Sequence, residues 1–187
     1  MKEVLTRSHR IFSIALIEFG LAATNNLQIN PGSSFIMLLG TGVGASLPDI
    51  DEYNSSVSRK SIINFSLFLR HRGITHSLIG FLIFSGGIYF LMSLLMPIRF
   101  TSWNLPDYWS SLWLGLTIGY FLHLLEDSFS KRGVNWLTPF RKKCHGPKLH
   151  YKVGGPFEKL IVFIAIILII ILTIYWLWLL SLPDLKV

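Results

Sequence analysis

The most constraining feature of this 187-residue chain is Leu160–Leu182, a stretch of 23 residues without a charged side chain. A helix rises about 1.5 Å per residue, so this stretch is long enough to cross a hydrocarbon core of about 30 Å. Hydrophobic residues make up 51% of the chain and charged residues only 14%, against roughly a quarter charged in a soluble domain. We therefore predict an all-α, polytopic membrane protein with a single domain over residues 1–187.

Four further apolar segments indicate a bundle of about five helices, with four to five membrane spans. They are Ile11–Ala23, Ser34–Leu47, Ile74–Met96 and Tyr108–Leu125. Turn-forming residues at positions 24–26 and 30–32 separate the first two, which are short enough to be tilted or partly interfacial. A signal peptide is the alternative interpretation of the first segment, but Glu18 would interrupt its apolar core.

Small residues within these segments predict close contacts between helices. Gly40, Gly42 and Gly44 lie inside the second segment, and no P-loop lysine follows them. We therefore interpret them as packing positions rather than as a nucleotide-binding loop. The third segment carries a comparable set that predicts another close helix approach: Gly80, Ser85, Gly86 and Gly87.

Lysine and arginine residues are distributed very unequally between the two ends of these segments. Five spans would place fifteen of the 17 on one side and leave only Arg99 and Lys186 on the other. This positive-inside bias predicts a cytoplasmic N-terminus and an external C-terminus. The net charge of +7 then has a topological explanation, and we expect no nucleic-acid partner.

All six histidines fall on the same predicted cytoplasmic side. Cys144 is the only cysteine, so a metal site would have to use histidine and carboxylate ligands. His123 and Asp127 are four residues apart and share one helix face, where both can reach a single cation. The alternative is that Glu126 and Asp127 are solvated residues at a helix end. We predict a metal centre at the cytoplasmic membrane boundary.

Two loop motifs add candidate ligands to this pair. His71 and His76 flank a glycine turn, and Thr75 is the expected N-cap of the helix that follows. Asp49 and Asp51 follow a proline, and in an extended chain their carboxylates would point the same way. Paired carboxylates of this kind can bridge two metal ions. The alternatives are a basic loop for the first motif and a hydrated acidic turn for the second.

Five motifs along the chain together resemble the YdjM-type family of bacterial inner-membrane proteins, described as metal-dependent hydrolases, some of them LexA-regulated. The motifs are Ser8–Arg10, Leu47–Asp51, His71–Ser77, His123–Asp127 and Gly154–Glu158. The resemblance implies a location in the bacterial cytoplasmic (inner) membrane, and it implies that His9 and Glu158 are additional metal ligands. More remotely, the chain looks like the helical zinc phospholipase C group, which uses a multinuclear zinc site on phosphodiesters.

The resulting hypothesis is a membrane-bound metal-dependent hydrolase that acts on a lipid or another phosphoester at the cytoplasmic face. Asp51 is expected to bridge the ions or to orient the nucleophile, and Arg72, with Arg59 and Lys60, to bind the phosphate. One or more divalent ions, with Zn²⁺ preferred, would be held by His9, Asp49, Asp51, His71, His76, His123, Asp127 and Glu158.

The alternative function is a non-catalytic metal-binding membrane protein, either a transporter or an interaction module. Transport favours ionisable residues near the middle of the membrane and on both of its sides. On the predicted topology the opposite side keeps only Asp107 and Asp184 besides its two basic residues, which favours the enzyme. The lipid bilayer is the expected partner in either case.

Overall fold

A computed structural model describes residues 2–51, 73–100, 107–131, 133–140 and 154–182 of the chain. Within these residues the regular secondary structure is helical, as predicted. The described residues form six α-helices and two 3₁₀ turns, the latter at Pro48–Asp51 and Ile74–His76. The helices are α1 (Lys2–Ala23), α2 (Asn26–Ile29), α3 (Pro31–Gly44), α4 (Leu78–Leu95), α5 (Tyr108–Ser128) and α6 (Pro156–Ser181).

The chain reverses direction between α1 and α3 where turn-forming residues were noted. Asn25 adopts a left-handed conformation with φ of 56°, which asparagine tolerates better than most residues. Pro31 occupies the first turn of α3, where its fixed φ suits a helix and its missing N–H costs no hydrogen bond. The predicted break of the first apolar region into two helices is therefore confirmed.

The N-cap of helix α4 lies two residues later than the sequence predicted. The Ser77 hydroxyl accepts a hydrogen bond from the Gly80 N–H at 3.1 Å and is the N-cap of the helix. The prediction that Thr75 caps this helix was wrong, because residues 74–76 form a separate 3₁₀ turn. His76 consequently lies in that turn, immediately before the helix, and not in its first turn.

Helices α3 and α5 pack against each other in parallel through glycines on both. A Cβ at Gly40 would lie 2.8 Å from the Leu112 carbonyl oxygen, and one at Gly119 would lie 2.8 Å from the Ala45 nitrogen. A Cβ at Gly44, Gly115 or Gly119 would come closer still to a backbone carbonyl of the partner helix, that of Leu116, Met37 or Thr41 respectively. Small residues four apart on both helices permit this approach, so the packing prediction for the second segment is confirmed.

Helix α4 lies antiparallel to α5 and is joined to it by indole hydrogen bonds. Trp109 Nε1 donates to the Met92 carbonyl and Trp113 Nε1 donates to the Ser85 carbonyl, each at 3.1 Å. Gly86 and Gly87 take no part in this contact, since nothing lies within 4 Å of a Cβ built on either. The predicted close helix approach was wrong at these two positions.

Helices α1 and α6 run parallel, with polar contacts at two levels. Ser8 donates to Glu158 at 2.7 Å near their N-termini, and Thr173 donates to Glu18 at 2.9 Å further along. The five long helices thus alternate in direction along the chain. The starts of α1, α4 and α6 and the ends of α3 and α5 meet at one end of the bundle, which we call the site end.

Two of the described helices, α4 and α6, are long and apolar enough to cross a membrane, judged by length and composition. Much of their apolar surface faces outward: in α6, only 6% of the most apolar window is buried. Buried positions elsewhere are rich in polar residues, including Ser13, Ser34 and Thr41. Polar residues inside and apolar residues outside are the reverse of a soluble globule and suit a lipid surrounding.

Candidate metal centre

Three buried side chains from three different elements meet at the site end. Asp49 comes from the 3₁₀ turn after α3, His76 from the turn before α4, and His123 from the last turns of α5. Asp49 Oδ1 lies 3.5 Å from His123 Nε2 and 4.0 Å from His76 Nε2. The three potential ligand atoms lie within 4.8 Å of one another, and we call these residues the triad.

The His123 ring is oriented by a hydrogen bond on its far side. Its Nδ1 lies 2.7 Å from the carbonyl oxygen of Ala45, at the end of α3. A carbonyl can only accept, so Nδ1 carries the proton and neutral His123 presents the lone pair of Nε2 to the triad. This is the usual arrangement of metal-binding histidines, whose second nitrogen donates to a protein oxygen.

Asp127 and His9 extend the cluster beyond the triad. Asp127 follows His123 by one helical turn, and its Oδ2 lies 3.6 Å from His76 Nε2. Its other oxygen, Oδ1, lies 3.7 Å from His9 Nε2 on α1. The His9 and His123 rings are tilted against each other with centroids 4.3 Å apart. The predicted four-residue spacing therefore does place Asp127 beside the same cluster as His123.

Glu126 holds His9 from the side opposite the cluster. Its Oε2 lies 2.8 Å from His9 Nδ1, and Ser13 donates to its Oε1 at 3.2 Å. Burial lowers the pKa of His9, but the hydrogen bond with Glu126 and the charges of Glu126, Asp127 and Asp49 outweigh it and raise the pKa to about 9. Glu126 is therefore more than a solvated helix-end residue.

Glu158, a ligand implied by the family resemblance, has other contacts in the structure. Its Oε1 accepts from Ser8 and its Oε2 accepts from the Gly154 N–H, each at 2.7 Å. Gly154 has a φ of 76°, which favours glycine, so the loop before α6 is shaped to deliver that N–H. These bonds tie the start of α6 to the residue that precedes His9.

Five predicted site residues have side chains outside the described part of the chain. His71, Arg59, Lys60 and Arg72 lie outside the described residues, as does the side chain of Asp51. The backbone of residues 48–51 is a 3₁₀ turn, so the expectation of an extended segment with alternating side chains was wrong. A shared orientation of Asp49 and Asp51 therefore no longer follows from their spacing.

The cluster has the donor set and the spacing of a divalent-metal site. Ligands at about 2.1 Å from a tetrahedral ion lie roughly 3.4 Å apart, close to the observed separations of 3.5–4.0 Å. His9 Nε2 and His123 Nε2 are buried with no hydrogen-bond partner among the described residues. A metal ion would satisfy such atoms, and imidazole with carboxylate is a donor set that suits Zn²⁺ or Mn²⁺.

The sequence reasoning missed the supporting contacts of the cluster. Glu126 is three residues after His123, and Ser13 is four residues after His9, so helical spacing places each beside a predicted ligand. That spacing gives no indication that Glu126 and His9 meet, because 117 residues separate them. Pairing across α1 and α5 required the tertiary structure.

Fold and site together define a helical membrane-associated protein with a buried histidine and aspartate cluster at one end of its bundle. Residues 4–182 match the YdjM inner membrane protein family, and the chain belongs to that family. No solved structure matches the chain significantly.

Two curated relatives illustrate the range of the similarity. The Bacillus subtilis (strain 168) protein YvsG is 31% identical over 147 residues, which cover 76% of this chain and 81% of that protein. Inner membrane protein YdjM of Escherichia coli (strain K12) is 28% identical over 156 residues, covering 82% of this chain and 74% of that protein. The predicted family resemblance is thus confirmed.

Proposed function

We propose that the protein is a metal-dependent hydrolase of the bacterial inner membrane that acts on a lipid or another phosphoester at the cytoplasmic face. The triad carries this proposal. Three buried donors from separate elements are directed at one another, and His123 is fixed by a backbone carbonyl so that Nε2 faces the cluster. Such an arrangement of imidazole and carboxylate suits a dication better than it suits a structural hydrogen-bond network.

The location of the triad supports a substrate at the membrane surface. Helices α4 and α6, the two candidate membrane spans, both begin at the site end. His76 immediately precedes Ser77, the cap of α4, so the triad lies near the level at which that helix would enter the bilayer. A lipid headgroup is the phosphoester available at this depth.

The chemistry follows from the charges in the cluster. A divalent ion held there, with Zn²⁺ preferred, would polarise a phosphoryl oxygen and would lower the pKa of a bound water. Asp49 and Asp127 would supply carboxylate oxygens that favour a dication, and His76 and His123 would supply imidazole nitrogens. Asp51 and Arg72 are proposed to assist the nucleophile and the phosphate respectively, with Arg59 and Lys60 as further phosphate contacts.

The proposal includes the membrane topology, in which the five long helices are spans and the N-terminus is cytoplasmic. Five long helices alternate in direction, as five membrane spans would, and the cluster lies at the end that the charge distribution assigns to the cytoplasm. Polar residues make up a larger fraction of helices α1, α3 and α5 than of α4 and α6, which is expected when helices are covered by neighbours rather than by lipid.

The test is a hydrolysis screen with purified, metal-loaded protein in detergent. Phospholipids, lipid pyrophosphates and soluble phosphodiesters are the substrates to include. Turnover that is lost in His123→Ala and on chelation, but kept in His145→Ala, would support the enzyme. His145 is the matched control because it is a cytoplasmic-side histidine that we do not place among the ligands.

A second outcome would favour the non-catalytic alternative. If the native protein binds metal stoichiometrically and His123→Ala does not, while no substrate turns over, the hydrolase is wrong. A metal-binding interaction module would then be the better description.

A further inference from the structure

A buried carboxyl group lies between α1 and α6, away from the triad. Glu18 is 2% exposed, and its Oε1 accepts a hydrogen bond from the Thr173 hydroxyl at 2.9 Å. Glu18 follows His9 by nine residues on α1, which separates the two along the helix axis by about 14 Å. Glu18 is therefore not part of the metal centre, and the proposed function gives it no role.

The carboxyl group of Glu18 meets no positive charge in the described part of the chain. Its Oε1 has the neutral Thr173 hydroxyl, and its Oε2 is buried without a hydrogen-bond partner among the described residues. The next basic side chain on α1, Arg10, is eight residues away, and the one on α6, Lys159, is fourteen residues from Thr173. An ionised carboxylate in such surroundings is much less stable than a neutral acid.

The helices around Glu18 contribute apolar side chains. Leu21, one turn further along α1, belongs to a buried cluster with Leu27 and Met37. The side chains packed against that cluster come from α1, α3, α5 and α6, and they are Ile17, Ala22, Leu38, Leu114, Ile118 and Trp176. None of these residues is titratable, so the cluster supplies Glu18 with neither a counter-charge nor a proton acceptor.

The hydrogen bonds agree with a neutral carboxyl group. A carboxylic acid keeps one carbonyl oxygen that accepts, and Oε1 does accept from Thr173, which leaves the proton to Oε2. An ionised Oε2 would be a strong acceptor for the indole N–H of Trp176, one turn after Thr173. Both Oε2 and Trp176 Nε1 are nevertheless buried without a hydrogen-bond partner among the described residues. Two donors do not bond to each other, so a proton on Oε2 explains both atoms.

We infer that Glu18 is a proton-binding site inside the bundle, where the carboxyl group is the neutral acid at neutral pH and its carbonyl oxygen binds the Thr173 hydroxyl. The proton takes the place of a counter-cation and lets α1 and α6 pack closely. Its release would leave a carboxylate with a single hydrogen bond in an apolar interface, which weakens the contact between the two helices. The inference rests on the proposed function only through the membrane topology, and the metal centre has no part in it.

Infrared difference spectroscopy and carbodiimide labelling test this site in the full-length protein reconstituted in phospholipid vesicles. At neutral pH the native spectrum minus that of Glu18→Gln should show the C=O band of a neutral carboxylic acid, shifted in D₂O. Dicyclohexylcarbodiimide is an apolar reagent for protonated carboxyl groups, and it should add one adduct per chain at Glu18 and none in Glu18→Gln. Asp107→Asn is the control, since Asp107 is an exposed helix cap, and it should keep both signals.

Thr173→Val keeps the carboxyl group and guards against a Glu18 variant that fails to fold. The acid band should move to higher frequency because the carbonyl oxygen loses its hydrogen bond, and labelling should persist. An unchanged band in Thr173→Val would show that the acid is not Glu18.

Absence of the acid band, or of an adduct at Glu18 in the native protein, would overturn the inference. Loss of the band when Na⁺ is added at constant pH would also overturn it, because the carboxylate would then bind a cation. Neither measurement involves a metal centre or a substrate, so these outcomes are separate from those of the hydrolysis screen.

Discussion

His9 on α1 and Glu126 on α5 are joined by a 2.8 Å contact between an imidazole nitrogen and a carboxylate oxygen. This contact connects the first long helix to the helix that carries His123 and Asp127. The neighbouring Ser8 is bound to Glu158 at the start of α6. The hydrogen bonds of His9 and of its neighbour Ser8 therefore fix the position of His9. They connect α1 to α5 and to α6 beside the cluster.

Removing the Glu126 carboxylate should weaken metal binding without removing any proposed ligand. We expect Glu126→Ala to lower the metal affinity by about 10- to 100-fold, and Glu126→Gln to have a smaller effect because an acceptor remains. Zn²⁺ titration with a competing chelator measures both values. Asp107→Asn is the control, since it alters a carboxylate at the opposite end of the same helix. Equal affinities in Glu126→Ala and the native protein would contradict a positioning role.

Metal binding at His9 should release a proton at neutral pH. The pKa of His9 is raised to about 9 by the facing carboxylates, so its imidazole is charged below that pH in the metal-free protein. A metal at Nε2 must displace one proton. Apparent affinity should therefore rise with pH by up to about tenfold per unit until pH approaches 9.

Calorimetry of Zn²⁺ binding in buffers of different ionisation enthalpy measures this proton release. At pH 7.5 the native protein should release about one more proton than His9→Gln. The same count in both proteins would show that His9 Nε2 does not exchange its proton for metal.

Local patterns predicted those parts of the site that depend on one helix or on charge. The spacing of His123 and Asp127 places both on one face of α5, and both do lie at the cluster. The predicted order of segments also placed His9, His76 and His123 at one end of the helices, where these three described histidines do meet. The helical spacing was predictable because helix periodicity is a property of a short segment, whereas the membrane topology stays a prediction.

Contacts between distant segments were not predictable in the same way. Nothing in the sequence around His9 indicates Glu126 as its partner, and nothing around Glu158 indicates that its carboxylate binds Ser8. The turn at residues 48–51 was expected to be extended, and Ser77 replaced Thr75 as the helix cap. In both turns several conformations satisfy the local propensities, and tertiary packing selects one of them.

The glycine contact between α3 and α5 should be sensitive to a single added methyl group. A Cβ at Gly119 would meet backbone atoms of Thr41 and Ala45, which cannot move independently of α3. We expect Gly119→Ala to destabilise the protein by about 1–3 kcal/mol through overpacking. Gly86→Ala, in open space on α4, should be neutral or stabilising by up to about 1 kcal/mol. Thermal unfolding in detergent compares the two, and equal shifts in Tm would contradict the close packing.

Cys144 provides a direct test of the proposed orientation. It lies outside the described residues, in the basic segment between Arg141 and Lys152 that the charge distribution assigns to the cytoplasm. A membrane-impermeant thiol reagent should label it in inverted vesicles and not in intact cells.

The matched control for this labelling combines Cys144→Ser with Ser102→Cys, which moves the only cysteine to the predicted external loop. This variant should show the opposite labelling pattern. Labelling of native Cys144 from outside intact cells would reverse the proposed topology. The triad would then lie at the external face, because His123, 21 residues before Cys144 on the same side of the predicted spans, would be carried with it.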